Sequence, residues 1–416
     1  ALPTATVTAG GSTTICDGTS VSLSANAGTG YTYQWSNGSA DQTISVSASG
    51  SYTVTVTDLN GCSTTSAATA VTVTPLPTVA SITGNTGVCV GSTTTMSSAT
   101  TGGVWTSSNT GVATISTGGV VTGVTAGTTT ITYTVTVGGC TNTATTTVTV
   151  NSLPTATIAA ASATTFCDGG SVTLMGPSAP AGMTYTYVWN LNGTAITGAT
   201  GNTYIAAASG SYTVTVTNNN GCSATSAATV VTENPLPTVA AITGTTSVCV
   251  GSGTTLANAT TGGTWSSSNT ATATVNASTG VVTGVNAGTV TITYTVTDAN
   301  GCINTATATV TVNALPTPTI TASGATTFCS GSSVVLTASS ASTYQWNLNG
   351  TAIAGATSAT YTATAAGSYS VTVTNANGCT ATSGATSVTV NALPTATVTA
   401  GGSTTICDGT SVSLSA

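Results

Sequence analysis

A Leu-Pro-Thr tripeptide recurs at Leu2, Leu76, Leu153, Leu236, Leu315 and Leu393, so successive copies stand 74 to 83 residues apart. A stretch of that length holds one small domain and is too short for two. Proline fixes its own φ and keeps the preceding residue extended, so each tripeptide reads as a stiff connector between modules. Inside the modules apolar residues fall on every second position, as in Thr53-Val54-Thr55-Val56-Thr57 and Thr213-Val214-Thr215-Val216-Thr217. That period places Val on one face of a strand and Thr on the other, and no stretch of useful length carries a helical period. The expected class is all-β: a tandem array of five β-sandwiches over 1–75, 76–152, 153–235, 236–314 and 315–391, with 392–416 starting a sixth.

Two module types alternate. The first, in modules one, three and five, carries Cys16-Asp17-Gly18-Thr19-Ser20-Val21-Ser22-Leu23, then Tyr33-Gln34-Trp35, Gly50-Ser51-Tyr52-Thr53-Val54-Thr55-Val56 and Asn60-Gly61-Cys62, matched by Cys167, Trp189, Tyr212 and Cys222 and by Cys329, Trp346, Tyr369 and Cys379. The second, in modules two and four, carries Trp105-Thr106-Ser107-Ser108-Asn109, Val112-Ala113-Thr114-Ile115, Gly119-Val120-Val121-Thr122-Gly123-Val124 and Ala126-Gly127-Thr128, with its counterpart running from Trp265 to Thr289. Residues 392–416 repeat residues 1–25 without a change. Drift would not leave such a copy intact, so the expectation is one five-module unit and part of the next, cut from a longer protein. Nothing at Ala1 reads as a signal peptide, which suits a mature segment.

Composition removes most chemistry. Of 416 residues 7 are acidic and none is Lys, Arg or His, giving a net charge of −7. Without imidazole, ammonium or guanidinium there is no ordinary base for a Ser or Thr nucleophile and no histidine metal ligand, so the chain is expected to be no enzyme and to need no cofactor. Phosphate affinity rests on Lys and Arg, so nucleic acid is not an expected partner. No apolar run approaches the ~18 residues of a membrane span, and no membrane insertion is expected. Disorder is opposed by a 40% hydrophobic content and by the β-branched alternation.

Each module has one Trp, and Trp35, Trp105, Trp189, Trp265 and Trp346 are expected to fill the space between two sheets. Tyr52, Tyr212 and Tyr369 read as corner tyrosines. Asn60-Gly61, Asn220-Gly221, Asn300-Gly301 and Asn377-Gly378 read as two-residue hairpins joining the last two strands. Asp17, Asp168 and Asp408 recur in Cys-Asp-Gly and suit a turn. The other acids, Asp41, Asp58, Glu233 and Asp298, are scattered, and no module gathers the carboxylates of a calcium site. Asn37-Gly38-Ser39, Asn192-Gly193-Thr194 and Asn349-Gly350-Thr351 match the short N-glycosylation pattern. Thr-x-Thr rows invite an ice-binding reading, which a sheet twisted by about 20° per strand disfavours.

The Trp-x-Ser-Ser-Asn, Val-Ala-Thr, Gly-x-Val-Thr-Gly and Ala-Gly-Thr elements of modules two and four resemble the group 2 bacterial immunoglobulin-like domain. The Cys-x-Gly-x-Ser-Val-x-Leu and Gly-Ser-Tyr-x-Val-x-Val elements of the other modules resemble the Ig-like repeats of large secreted Bacteroidota surface proteins and gliding-type adhesins. The resemblance implies immunoglobulin-like sandwiches serving outside the cell, as stalks or adhesive fibres often exported by the type IX pathway. The sorting domain of that pathway is missing from the sequence. The leading expectation is a structural segment of an extracellular or cell-surface fibre, stalk or adhesin that self-assembles into filaments or bundles. Few charges oppose side-by-side packing, and strand edges lack blocking Lys residues. The rival is a glycan-binding adhesin segment, although the loops are poor in the aromatic and Arg residues of hot spots.

Eleven cysteines fall two per module, as Cys16 and Cys62, Cys89 and Cys140, Cys167 and Cys222, Cys249 and Cys302, and Cys329 and Cys379, with Cys407 in 392–416. Regular pairs without Cys-x-x-Cys mean disulfides in an oxidising compartment. With no Lys to form an isopeptide bond, they are the only covalent reinforcement open to the chain. In an Ig-like sandwich the turn before the second strand and the hairpin of the last two lie at opposite poles. The two thiols of one module would then sit on the order of 30 Å apart, far beyond disulfide reach. Two pairings stay open: within modules, the ordinary arrangement, and across junctions, for example Cys16 to Cys140, which the geometry favours. Junction pairing leaves Cys62, Cys329 and Cys407 alone, stiffens the connectors, and goes with an extended unit of about 180 Å.

Overall fold

The computed structural model describes residues 1–416, and every regular element in it is a strand. The chain divides into two compact units, Ala1–Thr165 with Ser171–Thr232, and Phe166–Gly170 with Glu233–Ala416. Each unit is a succession of immunoglobulin-like sandwiches.

Module one, in the first unit, sets the pattern for its type. Val7–Ala9, Val21–Ala25 and Thr43–Val46 form one antiparallel sheet. In the other, Thr14–Cys16 runs parallel to the last strand Thr69–Thr74, which pairs with Gly50–Tyr52, while Val54–Thr57 pairs with Thr32–Trp35 and Ser63–Thr65. The last strand is broken at Ser66, whose backbone N–H donates to Val54 O and whose Oγ accepts the N–H of Val54. Ser226 and Ser383 accept from Val214 and Val371 in the same way, so a hydroxyl, buried at Ser66 and Ser226 and half-buried at Ser383, satisfies the donor that the break leaves over. Val21, Leu23, Trp35, Ile44, Val54, Val56 and Val71 bury the alternate positions into one core.

Module two lacks the broken strand. Gly127–Val137 and Cys140–Asn151 pair without interruption from Gly127↔Val150 to Val137↔Cys140, joined by Gly138 and Gly139, both at positive φ (56° and 82°). That is a two-residue turn of the kind that matches strand twist. Val104–Ser107 and the parallel strand Gly87–Cys89 complete this sheet, and Thr93–Thr95, Val120–Gly123 and Ala113–Ile115 form the second. Ile131, Val148 and Val150 point inward, whereas Thr128, Thr130, Thr132, Thr134 and Thr136 face Thr149, Thr147, Thr145, Thr143 and Thr141 across the outer surface.

In the second unit, module four repeats module two with Gly288–Thr297 against Ile303–Asn313, and module five repeats module one with Gly367–Thr374 against Thr343–Leu348. Residues 392–416 carry the sequence of 1–25 and keep part of its pairing, Thr399↔Ser415 matching Thr8↔Ser24. No second sheet covers them there, and Leu414 is 64% exposed where its twin Leu23 is fully buried.

The hairpins that lead into the last strand differ from the expected two-residue form. In module one Asp58 N–H donates to Cys62 O, which closes a three-residue loop, Leu59-Asn60-Gly61, with Gly61 at φ 79°. Asp58 Oδ1 accepts from the N–H groups of Asn60 and Cys62, and this side-chain cap favours the longer loop. Asn218, Asp298 and Asn375 act identically in modules three, four and five. True two-residue Asn-Gly turns occur at Asn192-Gly193 and Asn349-Gly350, between the paired residues Leu191 and Thr194 and between Leu348 and Thr351.

Candidate functional site at the module junctions

The short strand that ends in the first cysteine of a module runs parallel to the last strand, so its end lies where the module exits. Cys16 is level with Thr74, Cys89 with Asn151, Cys249 with Asn313 and Cys329 with Asn391. The turn after it is closed by Thr19 N–H and Thr19 Oγ1, both donating to Cys16 O, with Gly18 at φ 80°. The second cysteine sits in the hairpin at the opposite end, where the module begins. The two cysteines of a module therefore face different neighbours.

Four disulfides follow. Cys16 bonds Cys140, Cys89 bonds Cys222, Cys167 bonds Cys302 and Cys249 bonds Cys379, with Cα separations of 5.5, 5.6, 5.5 and 5.6 Å. Those separations are ordinary for a disulfide. Each joins the first cysteine of one module to the second of the following one. Cys62, Cys329 and Cys407 are free, Cys62 half-buried and the other two exposed.

A second fastening sits beside each staple and was not read from the sequence. Asn142 Nδ2 donates to Pro77 O (2.9 Å) and Asn304 Nδ2 to Pro237 O (2.9 Å), which ties the hairpin to the Leu-Pro-Thr connector itself. In modules three and five Asn218 Nδ2 donates to Ser152 O (3.1 Å) and Asn375 Nδ2 to Ala314 O (3.0 Å), one residue before the Leu. Asn218 and Asn375 thus cap the hairpin with the oxygen and hold the connector with the nitrogen. Module one has Asp58 at this place, and a carboxylate has no N–H to give. The donor stands four residues before the hairpin cysteine in modules three and five and two after it in modules two and four, so no single spacing marks the clamp in the sequence.

Trp189 and Trp346 are fully buried, Trp35 and Trp265 are buried, and Trp105 is half-buried against its core. The indole N–H of Trp35, Trp189 and Trp346 donates to the backbone oxygens of Asp41, Gly201 and Ser358. Tyr52, Tyr212 and Tyr369 donate their hydroxyls four residues back, to Ala48, Ala208 and Ala365. Burial pushes the phenols of Tyr187 and Tyr369 above the usual value, and Tyr185 and Tyr361 beside them add to this. Asn192 and Asn349 of the glycosylation patterns are occupied as turn residues, their Oδ1 accepting from Ser211 and Ser368.

The family model of the bacterial Ig-like domain (group 2) matches residues 236–310, nearly the whole of module four. No curated protein matches the sequence. Among solved structures, the chain is similar to the N-terminal eight Ig domains of Down syndrome cell adhesion molecule at 12% identity, over 96% of this chain and 63% of that one, with a TM-score of 0.24. The chain thus spans less than two thirds of that fragment. Invasin, a bacterial integrin-binding protein, aligns at 15% identity over 77% of this chain and 81% of its own, with a TM-score of 0.26. Extracellular domains 3–5 of Drosophila OTK align at 15% identity over 55% and 93%, with a TM-score of 0.21.

Proposed function

We propose that the chain is a structural segment of an extracellular fibre, stalk or surface adhesin, in which disulfides lock successive Ig-like modules together and copies assemble into filaments or bundles. The pairing of cysteines between neighbours carries this reading. A sandwich that needs a disulfide for its own stability places it between its two sheets. Here the bonds restrain the connectors, which matters to a chain that transmits load. Disulfides on this scale belong to an oxidising compartment, so we place the protein outside the cytoplasm. The group 2 match in module four and the Cys-x-Gly-x-Ser-Val-x-Leu modules around it favour a Bacteroidota-type surface protein exported by the type IX route.

Lateral assembly is supported by the outer faces. Five successive Thr–Thr pairs cross the surface of module two and four cross that of module four, with no Lys or Arg anywhere to repel a neighbour. Threonine presents a methyl and a hydroxyl together, so two such faces can exclude water and still satisfy their polar groups. The absence of Lys, Arg and His leaves only seven scattered carboxylates as possible bases and favours a non-enzymatic role. Sedimentation and electron microscopy across a range of salt test the assembly. Filaments or bundles growing with concentration are expected, and monomers alone at every concentration would overturn the self-assembling part.

A further inference from the structure

The type-two modules leave one indole donor without a protein partner, on a ring that is otherwise packed into the core. The indole N–H of Trp105 and Trp265 makes no hydrogen bond within the protein and keeps access to solvent, although Trp265 is only 7% exposed and the three type-one indoles are all capped. In module four the nitrogen edge lies beside Gly280, at φ 71°, where a Cβ would stand 3.1 Å from Nε1; Gly119 holds the same place beside Trp105. The positive φ at both places, and the carbonyls of Leu256 and Met96 that face the missing Cβ, account for glycine there.

A cleft lies against this edge in both modules, about 360 Å³ in module four and 330 Å³ in module two. One wall is the edge of a tilted, packed ring pair, Trp265 with Tyr294 at 4.6 Å between ring centres and Trp105 with Tyr133 at 4.4 Å. The opposite wall is held by that same tyrosine: Tyr294 OH accepts from Gly263 N–H and donates to Thr260 O, and Tyr133 OH does so with Gly103 and Thr100. Both walls are therefore fixed before any ligand arrives. The hydroxyls of Thr261, Ser278 and Thr279 in module four, and of Thr101 and Thr117 in module two, have no partner in the protein and border the cleft with the indole edge.

We propose that these two clefts bind a neutral saccharide, one or two sugar units in each. No charged residue lines either cleft, so nothing there selects an ion. The free groups are one fixed N–H donor and several hydroxyls that both donate and accept. A sugar offers the complement, hydroxyls that accept and donate. The sites recur in alternate modules, so a chain carries them in series and a multivalent glycan gains avidity from weak single contacts. This inference is independent of the stapled junctions, and its failure would leave the structural reading untouched.

The test is a titration of the whole oxidised chain, watched through its five indole N–H resonances by NMR. The probes are glucose, galactose, mannose and N-acetylglucosamine with their β-linked disaccharides, and a capped Thr-Val extended peptide as the competing class. The expected result is a saturable shift of the Trp105 and Trp265 resonances with at least one sugar, those of Trp35, Trp189 and Trp346 staying still. Ser278→Ala with Thr279→Val, both at exposed positions, should weaken the Trp265 response about fivefold while leaving that of Trp105 unchanged. No selective shift with any sugar, a selective shift with the peptide alone, or a response unaltered in the double variant would each overturn the proposal.

Discussion

Replacing Cys249 by Ala should destabilise module five, which begins more than sixty residues later. The bonded partner, Cys379, lies in the entry hairpin of module five, against Asn313 O at the end of module four, and 66 positions separate those two residues. While module four stays folded it holds Cys249 and Asn313 side by side, so the disulfide turns an unfolded module five into a closed loop of that length. A loop of this size restricts the unfolded chain by about 4 kcal/mol at room temperature on the chain-entropy estimate. Losing it should raise the open population of module five by up to about a thousandfold. Hydrogen exchange read on peptic fragments is the assay, since pepsin cuts this Lys- and Arg-free chain. The amides of Gly367–Thr374, central strand of the module five core, should lose protection by up to that factor, and module one should be unchanged. If Cys249 were paired within its own module, the variant would weaken module four alone. Unchanged protection across Gly367–Thr374 would refute the reasoning.

Three further outcomes test the packing. Asn375→Asp keeps the oxygen that caps the hairpin but loses the donor to Ala314 O, and should lower the stability of module five in urea unfolding by about 1 kcal/mol. Thr64 Oγ1 is buried with no hydrogen-bond partner, and Ala224 and Ala381 occupy the same register in the sister modules, so Thr64→Ala should stabilise module one by about 1 kcal/mol in urea unfolding. Leu23→Ala should cost about 3 to 5 kcal/mol by calorimetry, whereas Leu414→Ala, in the same local sequence, should change stability by less than about 0.5 kcal/mol because its side chain faces water.

The strands were legible because alternation is a local property: Val54 and Val56 point inward and Thr55 outward wherever the pattern is read. The opposite placement of Cys16 and Cys62 also followed from local reasoning, a turn at one end and a hairpin at the other. What stayed hidden depends on neighbours in space. Asn60-Gly61 carries a two-residue turn signal, yet Asp58 caps Asn60 and Cys62 and enforces a three-residue loop. The connector clamp of Asn375 needs the carbonyl of Ala314, 61 positions away, and no periodicity announces such a contact. Nor does the sequence around Trp265 say that its N–H goes unpaired, because the cap in the other modules is a loop carbonyl such as Gly201 O, supplied by a different segment.

The identity of the bonded cysteines is the measurement on which the account stands. The oxidised chain, blocked for free thiols and digested with a protease that needs no Lys or Arg, yields cross-linked peptides that mass spectrometry can assign without reduction. The account predicts Cys16 with Cys140, Cys89 with Cys222, Cys167 with Cys302 and Cys249 with Cys379, and alkylated Cys62, Cys329 and Cys407. A peptide joining Cys16 to Cys62, or Cys89 to Cys140, would contradict it.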